Sequence, residues 1–490
     1  MDKNCKYKCQ IFTPIENVEE LLDWAGYKKN IYGKKVIENS CGDGQILIRI
    51  VERYIEDSLR QNKNITEIKS GLENDIYGIE LDPKHYKKCR ENLNTIANKY
   101  NINKVKWHLY CEDSLKKNFE FKFDYVIGNP PYINYRNLDE KTRKYTKENF
   151  KVCEKGKFDY CYAFIEKGIV SLKEHGRMAY LIPGSIFKNV FSQELRQYML
   201  PHILEIHDYD NRKLFNKKNS NQNRNILTSS AVIIIERNSN SKSIKYVNEY
   251  NKTEKNIYKK NLNGKWIFSN KKNNSKNKRF GDFFKASNSV ATLLNSVFVI
   301  NDYTEDTNYI KKGEMSIEKG ILKKAVSPRS LNNKISEMII FPYKYDQQNI
   351  IMRYEENKLK NLYPNAYKYL MLNKKDLDNR KSDTSAKWYE YGRSQALNDM
   401  NREKLLISIV VTKKVKVYEL DKDTIPYSGI YIIPKKDKTL KEAKEILESK
   451  EFFEYVKDVG INASGESIRI TSSDINNYFF KESLNEKDTI

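Results

Sequence analysis

The chain has no cysteine beyond Cys161, no C-x-x-C pair and no regular spacing among its seven cysteines, which begin at Cys5. An odd number in that pattern excludes a disulfide scaffold and a zinc ribbon, and nothing else in the sequence implies a metal. Long apolar runs are missing too. The longest, Leu405-Leu406-Ile407-Ser408-Ile409-Val410-Val411, falls far short of the roughly 20 residues that cross a bilayer. The first ten residues are polar and charged with no apolar h-region, so the chain reads as soluble and cytoplasmic, with no membrane partner. Internal repeats are absent, and low complexity is confined to Lys/Asn stretches.

What is present is a chain of 490 residues, enough for two or three domains with ordinary cores. Hydrophobic residues at 39% and charged residues at 31% exclude wholesale disorder. Lys and Arg number 88 against 65 Asp and Glu, a formal charge of +23, which favours a polyanionic partner.

From Lys34 to about Glu236, short apolar strands alternate with helical patterns. Strands are expected at Val36 to Asn39, Ile76 to Leu81, Val105 to Cys111, Phe123 to Gly128, Met178 to Ile182, Ile203 to His207 and Ala231 to Ile235. Helices are expected after Gly44, from Pro83 to Tyr100 and from Asp159 to Glu174. This rhythm predicts a doubly wound, Rossmann-like α/β domain over residues 1–250. A Lys/Asn stretch over 251–279 reads as a basic linker. Residues 280–490 lack β-α-β rhythm and predict a mixed α+β domain. Its strands are expected at Met338 to Phe341, Leu405 to Val411, Val415 to Leu420 and Gly429 to Ile433, and a helix from Leu440 to Val456.

Asn129-Pro130-Pro131-Tyr132, directly after the strand ending at Gly128, carries the strongest chemical signal. Two prolines lock the backbone, so the Asn129 amide and the Pro130 carbonyl are fixed at the strand end where open α/β sheets bind ligands. A rigid pair of acceptors suits an exocyclic amine such as adenine N6, whose lone pair is otherwise delocalised into the ring. Tyr132 is placed to stack on the base. An ordinary proline turn is the competing reading.

Glu38-Asn39-Ser40-Cys41-Gly42-Asp43-Gly44 closes the first strand and opens a helix, where glycines let a ligand approach backbone N–H groups. Glu80, followed by Leu81, is the expected acceptor for ribose hydroxyls. The long spacing from Gly44 to Glu80 is assigned to a surface insertion over Gln61 to Asn74. Asp113, followed by Ser114, fits either an acceptor for an adenine amine or a helix N-cap.

Taken in order, Phe12-Thr13-Pro14, Glu38 to Gly44, Glu80, Asp113 and Asn129 to Tyr132 resemble the TaqI-type, or gamma-class, DNA adenine-N6 methyltransferases. Asp159 to Phe164, Gly176 to Pro183, and Leu214-Phe215 ahead of Ser230-Ala231-Val232-Ile233 continue the resemblance. Phe280 to Phe284, Trp388 to Arg393 and Gly465 to Ile470 resemble the family's target-recognition region. Asn39, where the family usually has proline, and the insertion Lys217 to Asn225 depart from the pattern. The resemblance implies S-adenosylmethionine as cofactor, held by Phe12, Thr13, Pro14, Glu38, Ser40, Cys41, Gly42, Gly44, Glu80, Leu81, Asp113, Ser114 and Asn129. It implies Asn129, Pro130, Tyr132 and Phe215 as the residues around a flipped adenine in double-stranded DNA. Only about a dozen residues precede Phe12, so a restriction nuclease fused in the same chain is not expected; a separate cognate restriction endonuclease and an orphan enzyme both stay open, and this chain is expected to act as a monomer.

Cytosine C5 methylation needs a thiolate, usually after proline, and the sequence has no Pro-Cys dipeptide. Cytosine N4 or RNA adenine methylation, and a non-catalytic DNA-specificity protein, remain the alternatives. Aromatic and basic residues interleave at Tyr343-Lys344-Tyr345, Tyr367-Lys368-Tyr369 and Lys387-Trp388-Tyr389, which suits either phosphate contact with base stacking or core packing.

Overall fold

Strand alternation decides how the first half of the chain is layered. The computed structural model describes residues 15–209, 230–268, 277–436, 438–464 and 467–481. The chain divides into two compact units, Met1–Ser269 and Asn270–Ile490. In chain order the first holds α1 (Ile15–Ala25), β1 (Val36–Glu38), α2 (Gln45–Arg60), α3 (Ile65–Asp75), β2 (Ile76–Glu80), α4 (Pro83–Lys99), β3 (His108–Cys111) and β4 (Phe123–Gly128). There follow α5 (Glu140–Asn149), α6 (Cys161–Ser171), β5 (Leu172–Pro183), α7 (Gln193–Met199), β6 (Ile203–Asp208), β7 (Ser230–Glu236), β8 (Ser243–Asn248) and β9 (Thr253–Tyr258).

Successive side chains of a strand face opposite ways. Ile37, Tyr77, Ile79, Val126, Met178 and Tyr180 enter one core with Ile165 and Ile169 of α6 and Leu195 of α7. Val36, Ile76, Ile127, Ala179 and Leu181 enter another with α1, α2, α3 and α4. A sheet buried on both faces by helices is the doubly wound α/β fold expected. Its nine strands run β3-β2-β1-β4-β5-β7-β6-β8-β9. β1 pairs in parallel with both β2 and β4, so the chain order reverses there and a crevice opens at the strand ends. β4 and β5 are also parallel, whereas β7 runs antiparallel between β5 and β6.

Residues 61–74 are not a surface insertion. Asn64 and Glu67 form a reciprocal capping box, each side chain accepting the other's backbone N–H at 2.9 Å, and Ile68 and Leu72 of the resulting α3 are buried. Part of the segment read as a linker also belongs to the first unit. Thr253–Tyr258 pairs along β8 as the last strand, and beyond it Trp266 and Phe268 are buried beside Phe187 and Tyr246.

The second unit is mixed α+β. Strands 284–288, 430–434, 404–407 and 417–420 form an antiparallel sheet. A second sheet joins 299–300, 337–340, 322–326 and 424–426. The stretch expected as one strand from Leu405 divides into Lys404–Ile407 and Val410–Val411, in different sheets. The helix expected from Leu440 to Val456 is two helices, Leu440–Glu448 and Lys450–Val459. Ser449 adopts an extended backbone and its hydroxyl accepts the Phe452 N–H, restarting the second helix. Tyr343, Tyr369, Tyr389 and Tyr391 are core residues. Tyr367 and Trp388 both donate to Glu356 Oε1 at 3.0 Å, so packing and internal hydrogen bonds account for most of the aromatic-basic clusters. Among the described residues, no helix is long and apolar enough to cross a membrane.

Candidate functional site

Two loops meet where the strand order reverses, one after β1 and one after β4. In the first, Gly44 has φ +85° and precedes α2. A Cβ there would lie 2.7 Å from Cys89 Sγ, so both the backbone and the approach of α4 require glycine. Gly42, φ +52°, donates its N–H to Glu80 Oε2 at 2.8 Å. The Cys41 and Cys89 sulfurs lie 3.9 Å apart. His85 Nδ1 contacts the Asp43 carboxylate, and Asn92 Nδ2 donates to the Asp43 carbonyl at 2.9 Å. The loop is thus gripped by α4 from beneath.

Glu38 is buried at the end of β1, where Oε2 accepts the Leu47 N–H of α2 at 3.1 Å. Burial, and secondarily Cys89, holds its carboxyl well above the usual carboxylate range. Asn39, next along the loop, is buried. Its Oδ1 accepts the Tyr180 hydroxyl at 2.7 Å, tying the loop across the sheet to β5.

In the second loop, the Asn129 carbonyl accepts the Ser40 hydroxyl at 3.3 Å, so the two loops are hydrogen-bonded to each other. Asn129 Oδ1 is buried. Tyr132 packs its ring on the core and stays partly exposed, while its hydroxyl is buried without a hydrogen-bond partner among the described residues. Burial pushes that phenol's pKa up. The next residue is anchored: Ile133 N donates to Asp159 Oδ1 at 3.2 Å, Cys161 N donates to the same oxygen at 3.1 Å, and Tyr160 N donates to the Ile133 carbonyl. Asp159 therefore fixes where the turn ends.

On the β2 and β3 side, Glu80 Oε1 accepts the Asp82 N–H at 2.8 Å, so each carboxylate oxygen takes one backbone donor and keeps a lone pair. Leu81 is 64% exposed, an apolar face at the crevice rim. Asp113 Oδ1 accepts the Leu115 N–H at 3.1 Å and Oδ2 lies 3.4 Å from Lys116 Nζ, a capping arrangement. Ser114 Oγ beside it is buried with no partner among the described residues.

Glu38, Ser40, Cys41, Gly42, Gly44, Glu80, Asn129 and Tyr132 thus come from two adjoining loops and one neighbouring strand end, with Leu81, Asp113 and Ser114 on the elements next to them. Phe12, Thr13, Pro14 and Phe215 lie outside the described residues. Tyr180, Asp159, Asp43, His85 and Cys89 support the site and were not singled out for it from sequence. Asp159 and Tyr180 lie inside stretches that resemble the family, which is the signal that could have found them. The donor set fits a cofactor with vicinal hydroxyls, a flat apolar ring and a cationic end. Glu80 offers lone pairs, Leu81 an apolar face, Ser114 an orphaned hydroxyl and Glu38 a buried acid whose ionisation a cation would favour.

Residues 29–215 match the family described as Eco57I restriction-modification methylase. Type II methyltransferase M.BstVI of Geobacillus stearothermophilus is 28% identical over 218 residues, which is 40% of this chain and 38% of that protein. Type II restriction enzyme and methyltransferase RM.Eco57I of Escherichia coli is 23% identical over 343 residues, 61% of this chain and 34% of that protein. The chain thus spans between a third and two-fifths of the length of these relatives. The type IIL restriction-modification enzyme MmeI, solved in complex with DNA, shares the fold with a TM-score of 0.59 at 15% identity, over 96% of this chain and 67% of that one. Over residues 29–215, the chain is similar to the Eco57I restriction-modification methylase family.

Proposed function

We propose that this chain transfers a methyl group from S-adenosylmethionine to the N6 amine of adenine in double-stranded DNA, with the target base rotated out of the helix. The observation that carries the reading is the Ser40 to Asn129 hydrogen bond, which holds the cofactor-side loop against the Asn-Pro-Pro-Tyr turn. Bound there, S-adenosylmethionine supplies an electrophilic methyl group. Glu80 accepts from its ribose, Leu81 covers its adenine, Asp113 and Ser114 bond the adenine edge, and Glu38 faces the cationic methionine end. Phe12, Thr13 and Pro14 complete the set of cofactor residues that the resemblance implies.

Asn129 Oδ1 and the Pro130 carbonyl would accept hydrogen bonds from the two N6–H groups of the target base. This concentrates electron density on nitrogen as it attacks and opposes delocalisation into the ring. As the N–C bond forms the C–S bond breaks, the thioether S-adenosylhomocysteine leaves, and the methylated amine gives up one proton to solvent. Tyr132 and Phe215 hold the extruded base between flat faces, offsetting part of a pairing and stacking loss of about a few kcal/mol. Positioning and preorganised acceptors supply the catalysis, with no covalent intermediate on the protein. Residues 280–490 serve as the target-recognition region, and a cognate endonuclease on another chain would read the same sequence. We place the enzyme in the cytoplasm as a monomer.

The test is incubation of unmethylated plasmid with labelled cofactor, followed by nucleoside analysis. N6-methyladenine in the wild type is expected, with Asn129→Ala losing transfer while keeping cofactor affinity. N4-methylcytosine as the product would move the reaction to the other exocyclic amine. No methylated nucleoside at all would leave the non-catalytic alternative.

A further inference from the structure

The chain leaving β5 forms a short, rigid turn that the proposed reaction does not use. Val190 and Phe191 stand at its tip, 59% and 42% exposed, although both are large and apolar. Flexibility does not explain them. Beneath the tip, Arg196 is buried and donates to the carbonyls of Ile186 (2.8 Å), Asn189 (2.7 Å) and Gly264 (2.6 Å) and to Ser192 Oγ (2.7 Å). No carboxylate pairs with it among the described residues, and burial lowers its pKa to about 10. A buried cation held only by neutral oxygens is costly, so its place is accounted for by the turn it fixes. Asn189 Oδ1 also accepts the Phe191 N–H at 3.0 Å, setting the tip from the other side.

The location is specific. β5 is the parallel neighbour of β4, with Tyr180 opposite Gly128, so Pro183 and Pro131 leave the sheet at the same level. The Phe191 ring lies over Gly156, where a Cβ would come within 2.7 Å of it. Gly156 is three residues before Asp159, the anchor of the Asn129 to Tyr132 turn, a span of at most about 11 Å. Around the tip, residues 151–157 carry three lysines and one glutamate. Lys155 and Lys157 are exposed and form no ion pair among the described residues. A rigid apolar tip with ammonium groups beside it, next to an entrance for a base, matches a nucleic-acid duplex better than an apolar or acidic protein surface.

We infer that Val190 and Phe191 form a wedge that enters a DNA duplex beside the target base, with Lys155 and Lys157 on the adjoining phosphates. The inference rests on the proposed reaction for its partner and extends it to a surface outside the catalytic turn. The wedge fills or props open the step from which the base leaves, so it acts by positioning and touches no reacting atom.

The test uses the full chain, a Val190→Ser/Phe191→Ser variant, Val190→Ser alone and a Lys155→Ala/Lys157→Ala variant. The probe is a labelled duplex carrying the motif that the wild type methylates, or a labelled plasmid fragment if it methylates none. The double serine variant is expected to bind about tenfold more weakly, near the low end for one stacked base, with unchanged S-adenosylmethionine affinity. Val190→Ser alone should show part of that loss. The lysine variant should lower the slope of log affinity against log salt by about 1.8, the value of two phosphate contacts. Wild-type duplex affinity in the double serine variant would overturn the inference and mark the tip as a contact for another protein chain. A parallel loss of cofactor affinity would overturn it as well, making the tip a prop for the cofactor loop. Weakened duplex binding in a chain that methylates nothing would keep the wedge and sink the proposed reaction.

Discussion

Asp159→Ala and Asp159→Asn are expected to part company. Ile133 N and Cys161 N both donate to one oxygen, Oδ1, at 3.2 and 3.1 Å. Alanine leaves both donors without their acceptor, and a buried orphaned N–H costs about 1–3 kcal/mol. Both residues are buried, so the two orphaned donors together cost about 2–6 kcal/mol. Asparagine presents a single carbonyl oxygen to both donors. It also removes a carboxyl whose pKa burial raises, and it should stay within about 1 kcal/mol of wild type. Because Ile133 directly follows Tyr132, the alanine variant should also release the turn that positions Asn129 and lose more than about tenfold in methyl transfer, equivalent to about 1.4 kcal/mol in the barrier. Urea unfolding measured beside single-turnover transfer separates these effects. Equal stability and equal turnover in the two variants would refute the anchoring role.

Three further outcomes follow from the same loops. Gly44→Ala should cost about 1–2 kcal/mol for its left-handed backbone, plus the collision with Cys89, so adding Cys89→Ala should recover only the collision part in thermal unfolding. Glu38, raised by burial, contributes stability that is complete below about 4.5 and lost as pH rises toward its folded value; Glu38→Gln should therefore melt higher than wild type at neutral pH, match it in acid, and bind S-adenosylmethionine more weakly by calorimetry. Glu80→Ala should weaken cofactor binding more than DNA binding, because it removes both the proposed ribose acceptor and the partner of Gly42 N; unchanged cofactor affinity would move that role elsewhere.

The parts of the fold legible in sequence are those whose signal is local. Val36 to Glu38, Ile76 to Glu80 and Phe123 to Gly128 are strands buried on both faces, so they stand out as apolar runs, and each ends in a polar or glycine-rich turn. The same positions gave the site's two loops. What was not legible depends on partners far along the chain. Thr253 to Tyr258 opens with four consecutive polar residues, Thr253 to Asn256, because only β8 and solvent flank it, and composition alone reads it as linker. Ser449 breaks a continuous amphipathic pattern through its own hydroxyl, which periodicity does not register. Tyr180 reaches Asn39 across 141 residues, and Asp159 reaches Ile133 across 26, so neither role could be read from spacing. Tyr343, Tyr369 and Tyr389 look like a nucleic-acid surface beside their lysines until the core claims them.

Trp266 determines how this protein can be cut. Its side chain is 1% exposed against Phe187, and its backbone N–H donates to the Phe187 carbonyl at 2.8 Å. A fragment stopped at Tyr250, where composition changes, would lose β9 and leave the slot of the tryptophan empty, at about 3–5 kcal/mol for an aromatic removed from a core. It would also turn β8, with Ile244 and Tyr246 on it, into a bare sheet edge able to recruit strands from other copies. Such a fragment is expected to aggregate on expression, whereas one that runs through Phe268 keeps the edge strand and its plug. The practical end of the first unit therefore lies inside the lysine- and asparagine-rich stretch, beyond the point where the sequence stops looking like a folded domain.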